Sequence, residues 1–115
     1  MLRDAGRGAI FGAAVLLRRD ARWADRAEDA AWYVHNLVTD PAVHGAGRRI
    51  LAESEALARS AGARFMRLDC AVGSAFLNAY YQSMGYQAAG AFREGDYYQG
   101  IRREKALEKS GEDTK

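Results

Sequence analysis

A chain of 115 residues, with 49% hydrophobic and 28% charged side chains, is long enough for one domain with a real core. Its single proline and mixed polarity exclude a disordered polymer. Seventeen lysines and arginines nearly balance fifteen acidic residues, and the resulting +2 excludes the dense positive field of a nucleic-acid binder.

Residues 1–8 have no apolar period and read as a loose lead-in. Residues 9–17 (AIFGAAVLL) form a candidate strand. That run is too short to span a bilayer, and Arg18, Arg19 and Asp20 follow it in place of a small-residue cleavage pattern. No membrane partner is expected. Residues 18–30 are charged and read as a loop, with Trp23 as the one large apolar side chain. Residues 31–38 (AWYVHNLV) give the strongest strand signal, rich in aromatic and β-branched side chains. The two strands are expected to pair as an antiparallel hairpin.

From Gly47 the period becomes helical. Ile50, Leu51, Ser54, Leu57, Ala58 and Ala61 fall on one face, Glu53, Glu55 and Arg59 lie off it, and Gly62 supplies the stop. Residues 64–70 read as a central strand, with Met66, Leu68 and Cys70 alternating imperfectly against Arg64, Arg67 and Asp69. Ser74 caps a second helix that runs to about Met84 and ends at Gly85. Residues 86–92 and 97–107 supply two more strands, followed by a charged tail. The order predicts an α/β domain with a mixed sheet over residues 1–107 and a tail over 108–115. Helices that follow strands at Gly47 and Ser74 direct ligand chemistry to the carboxyl edge of the sheet.

The first of those junctions has the character of an anion site. Gly45 and Gly47 let the main chain approach a phosphate closely, and a helix start exposes unpaired N–H groups and the positive end of its dipole. Arg48 and Arg49 follow at once. The duller reading is a tight turn that starts a helix, with both arginines solvated. The run lacks the Gly-Lys-Ser/Thr ending of a nucleotide P-loop. His35 and His44 are not spaced as metal ligands with Cys70 or acidic neighbours, so no metal is expected. Cys70, the sole cysteine, reads as a buried small residue and points to a reducing, cytoplasmic setting. Residues 97–100 with Arg102 and Arg103 suit either an acceptor pocket, a dimer contact or plain aromatic packing.

Four features in order make the chain resemble the GNAT superfamily of acetyl-CoA-dependent N-acetyltransferases. They are the strand 33–38; Gly45-Ala46-Gly47-Arg48, similar to the second half of the family's pyrophosphate loop; the strand 67–70; and Tyr81 to Tyr86, which fits Tyr-x-x-x-Gly-Phe/Tyr. Together they span residues 9 to 107. Ala42 stands where the loop pattern has Arg or Gln, the stretch from Pro41 to Gly45 is about two residues short, and Ser74 replaces a frequent asparagine. The resemblance leaves out the first strand and two helices of the fold.

The resemblance implies a GNAT-like acyl-CoA N-acyltransferase fold and transfer of an acetyl group from acetyl-CoA to a primary amine of a small molecule or peptide. Leu37, Val38 and Thr39 would pair with the pantetheine arm, and the amides of Gly45, Ala46, Gly47, Arg48 and Arg49 would surround the pyrophosphate, with Ser74 nearby. The amide of Val38 would polarise the thioester carbonyl. Tyr81 would protonate the leaving sulfur. For the general base, Asp69, Glu28 and Asp29 are candidates, Asp69 being also a natural ion-pair partner for an arginine. The rival implication is a non-catalytic CoA-binding or interaction module completed by a partner chain, with a homodimer as one form, because an exposed sheet edge favours pairing.

Overall fold

The computed structural model describes residues 2–3, 10–27 and 29–107. The elements are β1 (Leu2–Arg3), β2 (Ile10–Leu17), a 3-10 helix (Ala21–Arg26), β3 (Ala31–Thr39), α1 (Ala46–Ser60), β4 (Phe65–Ala71), α2 (Ala75–Ser83), β5 (Gln87–Glu94) and β6 (Tyr98–Ala106). They form one six-stranded sheet in the order β1-β2-β3-β4-β6-β5. The expected α/β class and the β2–β3 hairpin are present. The lead-in differs from its reading, because Leu2 and Arg3 pair with β2 as an edge strand. The tail from Glu108 lies outside the described residues, as does Glu28.

Both helices end for the same physical reason. Gly62 and Gly85 take φ of 90° and 96°, a region that glycine enters without a Cβ clash. The next residue then donates back to the first carbonyl of the turn, Ala63 to Ala58 at 2.9 Å and Tyr86 to Tyr81 at 3.0 Å. At the other end of α2, Ser74 Oγ accepts from the Leu77 amide at 3.1 Å, the expected N-cap.

The helices cover one face of the sheet. Val34, Met66, Leu68 and Cys70 pack there against Leu51, Ala58, Tyr81 and Tyr86. The 3-10 helix covers the other face, where Trp23 is buried with Ala31 and Tyr33, so the charged 18–30 segment is more than a loop. Charged residues that the pattern set apart from the apolar positions, Arg67 and Glu55, are buried. Arg67 lies on the 3-10 side, between Trp23 and Phe65, with its charge met by Asp29 and Glu104. Glu55, on the flank of α1, accepts from the Tyr86 hydroxyl at 2.7 Å and from Lys105 at 3.0 Å. In each case a partner from a distant element supplies the hydrogen bonds that make burial of the charge affordable. Leu57, placed on the apolar face by its period, is 59% exposed.

Candidate active site

The sheet opens in its middle. Parallel strands β3 and β4 pair only through Ala31–Phe65, Trp32–Met66 and Tyr33–Arg67. Beyond Tyr33, β3 continues against β2 alone, and beyond Arg67, β4 continues against β6 alone. The strands therefore part toward their carboxyl ends, and each leaves one edge without a sheet partner. Such an edge can take hydrogen bonds from an extended ligand.

A bulge re-aims β3 at this opening. Val38 pairs with Ala13 and His35 with Val15, so β3 carries one extra residue between them. Asn36 sits there at φ 54°, the one non-glycine with positive φ among the described residues. Regular alternation from Trp32 and Val34 would put Asn36 on the helix side. The bulge puts Leu37 there instead, packed into the core, and leaves Val38 and Thr39 exposed at the strand end. Leu37, Val38 and Thr39 are thus together on the parted segment, as the sequence order implies.

The turn after β3 leads into an uncapped helix. Asp40 Oδ1 accepts from the Ala42 amide at 2.9 Å, and Val43 donates to the Asp40 carbonyl at 2.9 Å. Gly45, at φ 78°, is the N-cap of α1 and gives no side-chain cap bond. The Arg49 amide bonds the Gly45 carbonyl at 3.0 Å, so the amides of Gly47 and Arg48 precede the first full helical bond. Ala46 and Gly47 are buried. A Cβ on Gly47 would collide with the Tyr80 hydroxyl. Tyr80, the neighbour of Tyr81 outside the Tyr-x-x-x-Gly-Tyr pattern, therefore sits against this helix start. Arg48 donates to Ser83 Oγ at 2.8 Å and lies over the Tyr80 ring. Arg49 is paired with Glu53 at 3.4 Å.

Tyr81 lies on α2 facing the sheet. The Tyr-x-x-x-Gly-Tyr spacing is the helix terminus itself: Gly85 makes the turn, Tyr86 returns its amide to Tyr81, and the two rings meet edge to face with centroids 6.2 Å apart. The Tyr81 hydroxyl makes no hydrogen bond to a described residue. Burial first, then the neighbouring Cys70, Tyr80 and Asp69, push its pKa up to about 12. The phenol is therefore fully protonated at neutral pH.

The base candidates fare differently. Asp69, on β4 past the last β3 pair, faces the 3-10 side, with both oxygens 3.2 Å from Arg22 Nη1 and Oδ1 accepting from Tyr98 at 3.3 Å. Arg22 also binds Glu94. Asp69 thus has the ion-pair role weighed for it, although its arginine comes from the 3-10 helix rather than the sheet. Asp29 binds Arg67 before the start of β3, away from the parted ends. His35 bonds Asp20 at 2.7 Å and Cys70 is buried, so both have structural surroundings. Among the described residues, no group of three His, Cys, Asp or Glu could hold a metal, and no helix is long and apolar enough to cross a membrane.

The sequence matches no family model and no curated protein. Solved structures do match it. A GNAT-family acetyltransferase from Listeria monocytogenes is 26% identical with a TM-score of 0.72, the match covering 87% of this chain and 59% of that one. An acetyltransferase from Bacillus cereus gives 22% and 0.64, with 92% and 69% covered. The ribosomal-protein-S18-alanine N-acetyltransferase of Escherichia coli gives 19% and 0.67, with 95% and 69% covered. The chain spans about three fifths of the Listeria protein's length. With its parted parallel strands and two junction helices, the chain has the fold of these GNAT-family acetyltransferases, and its likeness to the Listeria protein supports a place in that superfamily.

Proposed function

We propose that the chain is an N-acetyltransferase that moves an acetyl group from acetyl-CoA to a primary amine. The observation that carries this reading is the parting of β3 and β4 between an uncapped glycine helix start and a buried, protonated tyrosine. The three features suit the three parts of an acyl-CoA. Unpaired amides of Gly47 and Arg48 suit a pyrophosphate, and the absence of any cap side chain at Gly45 leaves room for it. The free edge of Leu37 to Thr39 suits an amide-bearing arm lying as an added strand. Ser74 stays an N-cap at the second junction and adds a hydroxyl near that path. Arg48 and Arg49 add positive charge at the rim of the turn.

In this mechanism the neutral amine attacks the thioester carbonyl, a C–N bond forms and the C–S bond breaks. The electron pair goes to sulfur, which takes the Tyr81 proton, while the new ammonium loses its extra proton to solvent or a base. The Val38 amide polarises the carbonyl as charge builds on its oxygen. The thiolate of a thiol with pKa near ~8.5 is a weaker base than the Tyr81 phenolate, so full transfer is uphill by roughly 3 to 4 pKa units. Tyr81 thus acts first as a hydrogen-bond donor to the developing thiolate. Asp69 acts as base only where a cationic acceptor displaces Arg22 from it. The acceptor is a small-molecule or peptide amine, and the setting is the cytoplasm.

Titration calorimetry with acetyl-CoA, followed by thiol release against a panel of amines, tests the reading. Heat of binding with thiol release supports it. Binding without release favours the non-catalytic module completed by a partner chain or a second copy. No heat and no thermal shift overturns both.

A further inference from the structure

A buried arginine stands beside this machinery without a carboxylate. Arg103 comes from β6 opposite Leu68 and is 5% exposed. Its Nε and Nη2 donate to Asn78 Oδ1 at 3.1 and 2.9 Å, and its Nη1 donates to the Tyr86 carbonyl at 2.7 Å. Among the described residues no Asp or Glu lies within ion-pair distance of it. Arg67, also buried, has two carboxylates. A desolvated cation met only by neutral oxygens is costly, and an apolar side chain of similar volume would fill the space at less cost.

Asn78 fixes where that charge sits. Its Nδ2 donates to the carbonyls of Ser74 at 2.8 Å and Ala71 at 3.2 Å, which turns its oxygen toward Arg103. The same oxygen receives the Cys70 thiol at 3.5 Å. One amide thus joins the end of β4, the start of α2 and the middle of β6. Asn78 precedes Tyr81 by three residues, so the two share the sheet-facing side of α2.

We propose that Arg103, held by Asn78, is a positioning residue whose unpaired positive charge stabilises the negative charge that develops on the leaving sulfur beside Tyr81. The assignment rests on the acetyl-transfer reading above. It acts through space rather than by contact, from a buried position where a fixed charge is screened less than at the surface. Cys70 is a built-in gauge of that field. Burial pushes its thiol pKa up, the hydrogen bond and charge of Arg103 pull it down, and Asp69 pushes it up again.

The test compares Arg103→Met with Arg103→Lys in the full chain, each checked for a cooperative melt. Ultraviolet titration of the Cys70 thiolate in the free protein reads the field without turnover. The expected result for Arg103→Met is a Cys70 titration moved further up, a kcat lower by roughly tenfold and an acetyl-CoA KM within about twofold. The loss should shrink with acyl donors whose thiol is more acidic, and Arg103→Lys should restore most of it. If Arg103→Met does not fold, Arg103→Gln removes the charge while keeping a hydrogen-bond donor toward Asn78, and should move both readouts the same way. An unmoved Cys70 titration, or a kcat loss that ignores the leaving thiol, overturns the assignment. Absence of thiol release by the unaltered protein, with the Cys70 response intact, overturns the acetyl-transfer reading instead.

Discussion

Tyr81 is buried among rings, and among the described residues its hydroxyl has no hydrogen-bond partner. Removing that hydroxyl should leave the fold intact, since Phe fills the same space. Tyr81→Phe is expected to lower kcat by roughly 10²-fold with acetyl-CoA affinity unchanged, read by steady-state kinetics and calorimetry. Its pH behaviour follows from the direction of the shift. The folded-state pKa lies above the ordinary tyrosine value of 10.0, at about 12. The stability it contributes is therefore full below pH 10 and lost as the pH rises through 12. In Tyr81→Phe the unfolding free energy should fall less steeply across that window, and the remaining slope belongs to Tyr86, Tyr98 and Cys70, which burial also raises. Equal slopes in the two proteins would contradict the burial of this phenol.

At the level of elements, the β3 bulge is what the sequence concealed. An asparagine within a β-rich run carries a weak signal, being tolerant of left-handed backbone, but period-two alternation gives no reason to place an extra residue there. The Gly45-x-Gly47 start and the Tyr81-to-Tyr86 terminus were legible because each is a local device, set by glycine conformation and helix capping within a few residues. Glu55, Arg67 and Tyr80 were not legible, because their partners lie far along the chain. Asn36→Gly should keep the bulge and leave stability within a few tenths of a kcal/mol. Asn36→Val forces a branched side chain to φ 54° and should cost about 1–2 kcal/mol in urea unfolding. It should also slow acetyl transfer, because straightening β3 returns Leu37 to the 3-10 side and shifts the amides of the parted edge. Full activity in a folded Asn36→Val protein would separate the bulge from catalysis.

Across the whole molecule, ion pairs on the 3-10 side bind segments that the parted sheet would otherwise leave loosely joined. Arg67 alone reaches Tyr33, Asp29, Glu104 and the Arg26 carbonyl. Arg102 ties β6 to Asp25 and the Arg22 carbonyl. Arg67→Met would leave half-exposed Asp29 without its guanidinium and Glu104 with Arg26 alone, and is expected to destabilise by about 3 kcal/mol in chemical denaturation. A loss below 1 kcal/mol would mean that the carboxylates are solvated well enough to stand alone. The fold class was readable from element order, yet nothing in a charged stretch announces that it will lie flat on a sheet. Trp23 is what anchors it there, with the guanidinium carbons of Arg67 at 4.6 Å and Arg102 at 4.7 Å from its ring centre and its side chain wholly screened from water. That contact gives the protein an optical probe of its own. In a Trp32→Phe background its indole should emit at short wavelength while this short helix is docked, and shift to the red when it lifts.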